Sequence, residues 1–67
     1  MTKNYRFEGP TDETSVARLK DEVGQVLGTQ GVKVEVEEGI LRVRGENFTD
    51  DQISLAVEYA GFSLIDE

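Results

Sequence analysis

Residues Val32 to Glu37 alternate apolar and charged without a break. Val32, Val34 and Val36 stand on one side, and Lys33, Glu35 and Glu37 on the other. A period of two is the pattern of a strand with one buried face and one wet face. Glu38-Gly39 follows, then Ile40-Leu41-Arg42-Val43-Arg44, which repeats the alternation with Leu41 and Val43 inward. Glycine supplies the positive φ of a tight turn, so the two runs read as a hairpin. Across it, Glu35 and Glu37 are expected to face Arg42 and Arg44 on the wet side, each pair contributing about 0.2–1 kcal/mol. A lone hairpin is marginal in water, so the remaining chain has to cover its apolar face.

Two helices can do so. Asp12 to Leu27 reads as the first, with Val16, Leu19, Val23 and Val26/Leu27 on one face. Thr11 or Asp12 is its expected N-cap, and Asp12 and Glu13 suit the positive end of the helix dipole. Gly24 lies inside it and lowers helix stability by about 1 kcal/mol relative to Ala. Gly28 is the expected C-cap, and Gly31 is expected to close the following loop. The second helix starts at Phe48-Thr49-Asp50-Asp51-Gln52-Ile53. Thr49 and Gln52 have capping-box spacing, and Phe48 and Ile53 match the hydrophobic staple. Ile53, Ala56, Val57 and Ala60 form its apolar face, and Gly61 ends it. At the front, Tyr5 and Phe7 alternate with Asn4, Arg6 and Glu8 through Thr2–Glu8, and Gly9-Pro10 ends that strand. At the back, Phe62 to Ile65 is a short strand with Phe62 and Leu64 on one side, and Asp66 and Glu67 are expected to fray. The order is β-α-β-β-α-β. The expected fold class is therefore α+β: a ferredoxin-like βαββαβ sandwich, a four-stranded antiparallel sheet with two helices on one face.

The bulk properties narrow the chemistry. The chain has 67 residues with no Cys and no His. It is expected to form one small domain, residues 1–67, held by an apolar core rather than by disulfides or zinc. No apolar leader or long apolar run is present, and a cytoplasmic location is expected. The formal net charge is −7. That surplus argues against nucleic acid and membrane surfaces as partners and favours a partner with a basic surface. The edge strands are short and charged, which favours a monomer. Without His or Cys a nucleophile lacks its base, so no enzyme activity is expected.

Several blocks resemble the heavy-metal-associated domain, the fold of copper chaperones and of the N-terminal domains of metal-pumping P-type ATPases. Gly31-Val32-x-Val34-x-Val36 is similar to that family's Gly-Val-x-x-Val-x-Val run, with the second apolar position drawn in by one residue. Ile53-x-x-Ala56-Val57-x-x-Ala60-Gly61-Phe62 resembles its Ile-x-x-Ala-Ile-x-x-Ala-Gly-Tyr ending. The resemblance spans nearly the whole chain and implies the ferredoxin-like fold. It fails at one place. The family's Gly is followed by Met-Thr-Cys-x-x-Cys; here Gly9 is followed by Pro10-Thr11-Asp12-Glu13-Thr14-Ser15. Asp12 and Ser15 stand where the resemblance implies thiolates. Cu(I) prefers soft sulfur ligands, so the implied copper site does not carry over.

Three expectations about sites follow. No cofactor is expected and no metal; if any ion binds, its ligands are Asp12, Glu13 and Ser15, a donor set short of what Ca²⁺ or Mg²⁺ needs. The acids Asp12, Glu13, Asp21 and Glu22 are the candidate protein-contact surface, and Glu46, Asp50 and Asp51 form a second acidic cluster. Complementary charge also helps copper chaperones and their targets recognise each other, as the resemblance implies. Phe62, at the family's Tyr position beside the loop, is expected to fill the core at the sheet end. Acylphosphatases and RNA-recognition domains share the fold. However, Arg6 and Asn47 lie in no glycine-rich loop, and the open sheet face (Arg6, Lys33, Glu35, Arg42, Arg44) shows no aromatic residue. A non-catalytic domain acting through protein contacts, with a link to metal homeostasis, is the expected function. A weak carrier using Asp12, Glu13 and Ser15, or a structural module of a larger assembly, is the alternative.

Overall fold

The computed structural model describes residues 1–65, so the expectation for Asp66 and Glu67 lies outside the described residues. Its elements run β1 (Thr2–Glu8), α1 (Glu13–Gly24), β2 (Thr29–Glu35), β3 (Ile40–Gly45), α2 (Asp50–Tyr59) and β4 (Ser63–Ile65). The strands form one sheet in the order β2-β3-β1-β4, every neighbouring pair antiparallel. This is the βαββαβ sandwich that the hydrophobic periods predict.

The alternation decides which side of the sheet is covered. Phe7, Leu41 and Val43 are buried with Leu19 and Val23 of α1 and Ile53, Ala56 and Val57 of α2. Tyr5, Val32, Val34 and Leu64 pack against this cluster from the sheet. No polar or charged side chain is buried among the described residues, so apolar burial has little to offset at the centre. On the open face, Arg42 donates from Nε to Asn4 Oδ1 at 3.1 Å. Glu35 lies 3.6 Å from Arg42 and 3.8 Å from Lys33.

The start of α2 follows its sequence signals. Thr49 accepts from the backbone N–H of Gln52, and the Gln52 side chain accepts from the backbone N–H of Thr49. Its end is a Schellman motif: Phe62 N–H donates to Val57 O and Gly61 N–H to Glu58 O, with Gly61 at φ 90°. That motif turns the chain back and drops Phe62 into the core.

Four expectations require correction. First, α1 stops at Gly24 and is capped by Gln25, not by Gly28 after Leu27. The cause lies outside the helix. The Thr29 hydroxyl shares its one proton between the carbonyls of Gly24 at 3.0 Å and Val26 at 2.8 Å, acceptors that another helical turn would have used. Leu27 is therefore turned out of the core and is exposed. Second, Gly31 does not close a loop. It sits within β2 opposite Arg44, just past an irregularity in register between Thr29 and Gly31. Third, β2 ends at Glu35, and Val36 to Gly39 form the turn, closed by Gly39 N–H donating to Val36 O at 3.2 Å. Fourth, this register places Glu35 opposite Ile40, Lys33 opposite Arg42 and Gly31 opposite Arg44. Glu35 therefore reaches Arg42 on the diagonal, while Glu37 lies in the turn rather than across from Arg44.

Candidate functional site

The loop from β1 to α1 is shaped at its base by two residues. Gly9 has φ 153°, and a Cβ there would lie 2.5 Å from the Phe62 ring. Phe62 is 3% exposed and packs edge-on against Phe7, with ring centroids 5.6 Å apart. The ring thus occupies the space beside Gly9, as core filling at the sheet end predicts, and no side chain fits at position 9 without moving it.

Asp12, not Thr11, is the N-cap of α1. Its backbone is extended (φ −69°, ψ 157°), and its Oδ2 accepts from the Ser15 backbone N–H at 3.1 Å. Hydrogen bonding from Ser15, side chain first and then backbone, holds the Asp12 carboxyl below the usual carboxylate range. Asp12 and Glu13 are exposed, and Ser15 is half-buried. Glu13 lies in the first turn, where the helix dipole favours an acid. Chemically, the loop offers a carboxylate committed to a cap, a second carboxylate in solvent and a hydroxyl. Soft ions take sulfur and hard ones take six or more oxygens, and this set fits neither. Among the described residues, no three His, Cys, Asp or Glu side chains converge as a metal site would require.

The other predicted acids are dispersed. Asp21 and Glu22 lie on α1 nine residues beyond Asp12 and Glu13, about 13 Å along the axis. Asp21 accepts from Gln25 Nε2 at 3.2 Å, and Glu22 is half-buried. In the second cluster, Glu46 is 3.9 Å from the N-terminal ammonium. Asp50 accepts from Lys3 Nζ at 2.9 Å and from Tyr5 Oη at 2.8 Å. These two bonds, Lys3 first, lower the Asp50 pKa, while burial and then Asp50 itself push the Tyr5 phenol up. This Lys3–Tyr5–Asp50 contact joins residues 45 and 47 positions apart. The one hint in the sequence is that Lys3 and Tyr5 share a face of β1.

No family model matches the sequence, and no curated relative is found. Solved structures do match. A CopZ metallochaperone superposes with a TM-score of 0.90 at 16% identity, covering 97% of this chain and 100% of that one. The N-terminal domain of PacS from Synechocystis PCC6803 gives 0.86 at 23% identity, covering 97% and 94%. Apo-CopP from Helicobacter pylori gives 0.82 at 24% identity, covering 97% and 100%. The chain has the fold of these proteins along almost its whole length, which is the fold that the heavy-metal-associated resemblance implied.

Proposed function

We propose that this chain is a non-catalytic relative of the heavy-metal-associated domains that no longer carries soft metal and acts through protein contacts in metal homeostasis. One observation carries the reading: the Asp12 carboxylate is committed to the Ser15 N–H, at the two positions where the resemblance implies thiolates. The fold matches a metallochaperone, and the motifs around β2 and α2 resemble the packing motifs of the heavy-metal-associated family. The loop chemistry is not. The acids Asp12, Glu13, Asp21 and Glu22 keep the negative charge that steers a basic partner, and at net charge −7 nucleic acid is a poor one.

Titration of the ¹⁵N-labelled protein with Zn²⁺, Ca²⁺ and Cu(I) tests this. The reading predicts no saturable shift of the Thr11 to Val16 amides at micromolar metal. Shifts confined to those amides and saturating at that level would establish a carrier using Asp12, Glu13 and Ser15 instead.

A further inference from the structure

Helical periodicity assigns Leu27 to the core, yet at 85% it is the most exposed large apolar side chain among the described residues. It is not on a loose loop. Thr29 ties the turn to Gly24 and Val26, and Gly28 O accepts from Glu46 N–H at 2.8 Å. Gly28 has φ 94°, and a Cβ there would collide with the Glu46 carbonyl. Leu27 is thus presented to solvent by a pinned turn.

It does not stand alone. Leu55 and Tyr59, one turn apart on α2, are 53% and 71% exposed. The three wall a groove of about 280 Å³ whose lining includes Val26 and Ala56. Its flanks are acidic. Glu22 lines the α1 side, and Asp51 and Glu58, four before and three after Leu55 on α2, lie on the outer shoulder of that helix, beyond Leu55 from the groove. Against these three acids stands Arg18, one turn before Glu22.

Size and charge choose among occupants. The groove is smaller than the roughly 300–1,000 Å³ of enclosed small-molecule sites. A second copy would bring another charge of −7 to a face whose flanks are already acidic, and like charges set against each other disfavour the contact. A helix has apolar residues at i, i+3 and i+4, which suits a narrow groove between two helices.

We propose that this groove seats an amphipathic helix of a protein partner. The partner's apolar face lies on Leu27, Leu55 and Tyr59, and its Lys or Arg residues lie over Glu22, Asp51 and Glu58. This gives a chemistry to the partner in the protein-contact reading and rests on it, but it uses no residue of the Gly9–Ser15 loop.

The probe is a synthetic Leu/Lys amphipathic helix about five turns long, added to the ¹⁵N-labelled chain. Saturable shifts are expected at residues 22–28 and 52–59. Leu27→Ser with Leu55→Ser should weaken binding about tenfold, with the circular dichroism spectrum unchanged because both side chains are exposed. Equal binding by the double variant would overturn the proposal, as would equal binding of a Leu/Glu peptide, shifts centred on Gly9 to Ser15, or dimerisation through this face without peptide. Metal-induced shifts in the loop would defeat the non-carrier reading and leave the groove result standing, so the two failures are distinguishable.

Discussion

The Asp12 carboxylate accepts the backbone N–H of Ser15 at 3.1 Å. The two positions where the heavy-metal-associated resemblance implies thiolates are bonded to each other in this chain, Asp12 as the N-cap of α1 and Ser15 within its first turn. Where the resemblance implies two outward ligands, this chain has a helix cap.

This cap has a pH signature. Ser15 holds the Asp12 carboxyl below its unfolded value, about 3.9. A depressed folded pKa stabilises fully above the unfolded value, and that contribution is lost as pH falls through the folded one. The Asp50 carboxyl, lowered by Lys3 and then Tyr5, acts with the same sign. Urea unfolding midpoints measured from neutral pH down to pH about 2.5 should fall below about pH 4. Asp12→Asn keeps an oxygen acceptor without the titration, so its midpoint should fall less steeply over that range.

At the other end of the scale, Tyr5 dominates. Its phenol is raised by burial first and by Asp50 second. A raised folded pKa stabilises fully below the unfolded value, about 10, and the contribution is lost as pH rises above it. In Tyr59→Phe protein, Tyr5 is the remaining tyrosine. Its tyrosinate absorbance should then appear together with loss of circular dichroism, as base unfolds the chain. Tyr5→Phe should remove this source of alkaline instability.

The fold was legible because its signals are local. Val32, Val34, Leu41 and Val43 declare a buried sheet face by alternation alone, and Thr49 with Gln52 declares a helix start within four residues. What escaped depends on contacts between elements. Thr29 ends α1 with a hydroxyl five residues beyond Gly24, a competition that helical periodicity does not register. The hairpin register turned on a turn of four residues rather than two, which moved Glu37 off the ladder. The Tyr5–Asp50 bond spans 45 positions. At the loop, residue types showed which ligands were missing, but only the geometry showed Asp12 committed as a cap.

Gly24 offers a stabilising change. It is the last residue of α1, and a Cβ there meets nothing within 4 Å. Gly24→Ala should raise stability by about 0.4–1 kcal/mol, read as a higher urea midpoint with an unchanged slope. A lowered midpoint would mean that the end of α1 needs glycine after all.

Phe62 should be among the least replaceable side chains. It is 3% exposed and fills the space between Gly9 and Phe7. Truncating a buried Phe to Ala costs about 3–5 kcal/mol, comparable with the whole stability of a chain this size at about 0.05–0.15 kcal/mol per residue. Phe62→Ala should be largely unfolded at 25 °C by circular dichroism, while Phe62→Leu retains a cooperative transition at a lower midpoint.

The most direct measurement offers the protein Cu(I) already held by a colorimetric chelator, and compares the natural sequence with Asp12→Cys/Ser15→Cys. The natural sequence should leave the chelator spectrum unchanged at micromolar protein, because its loop has a cap where soft ligands are needed. The double variant should withdraw copper, since cap and third helical position face each other across the first turn. Withdrawal of one equivalent by the natural sequence would contradict the account.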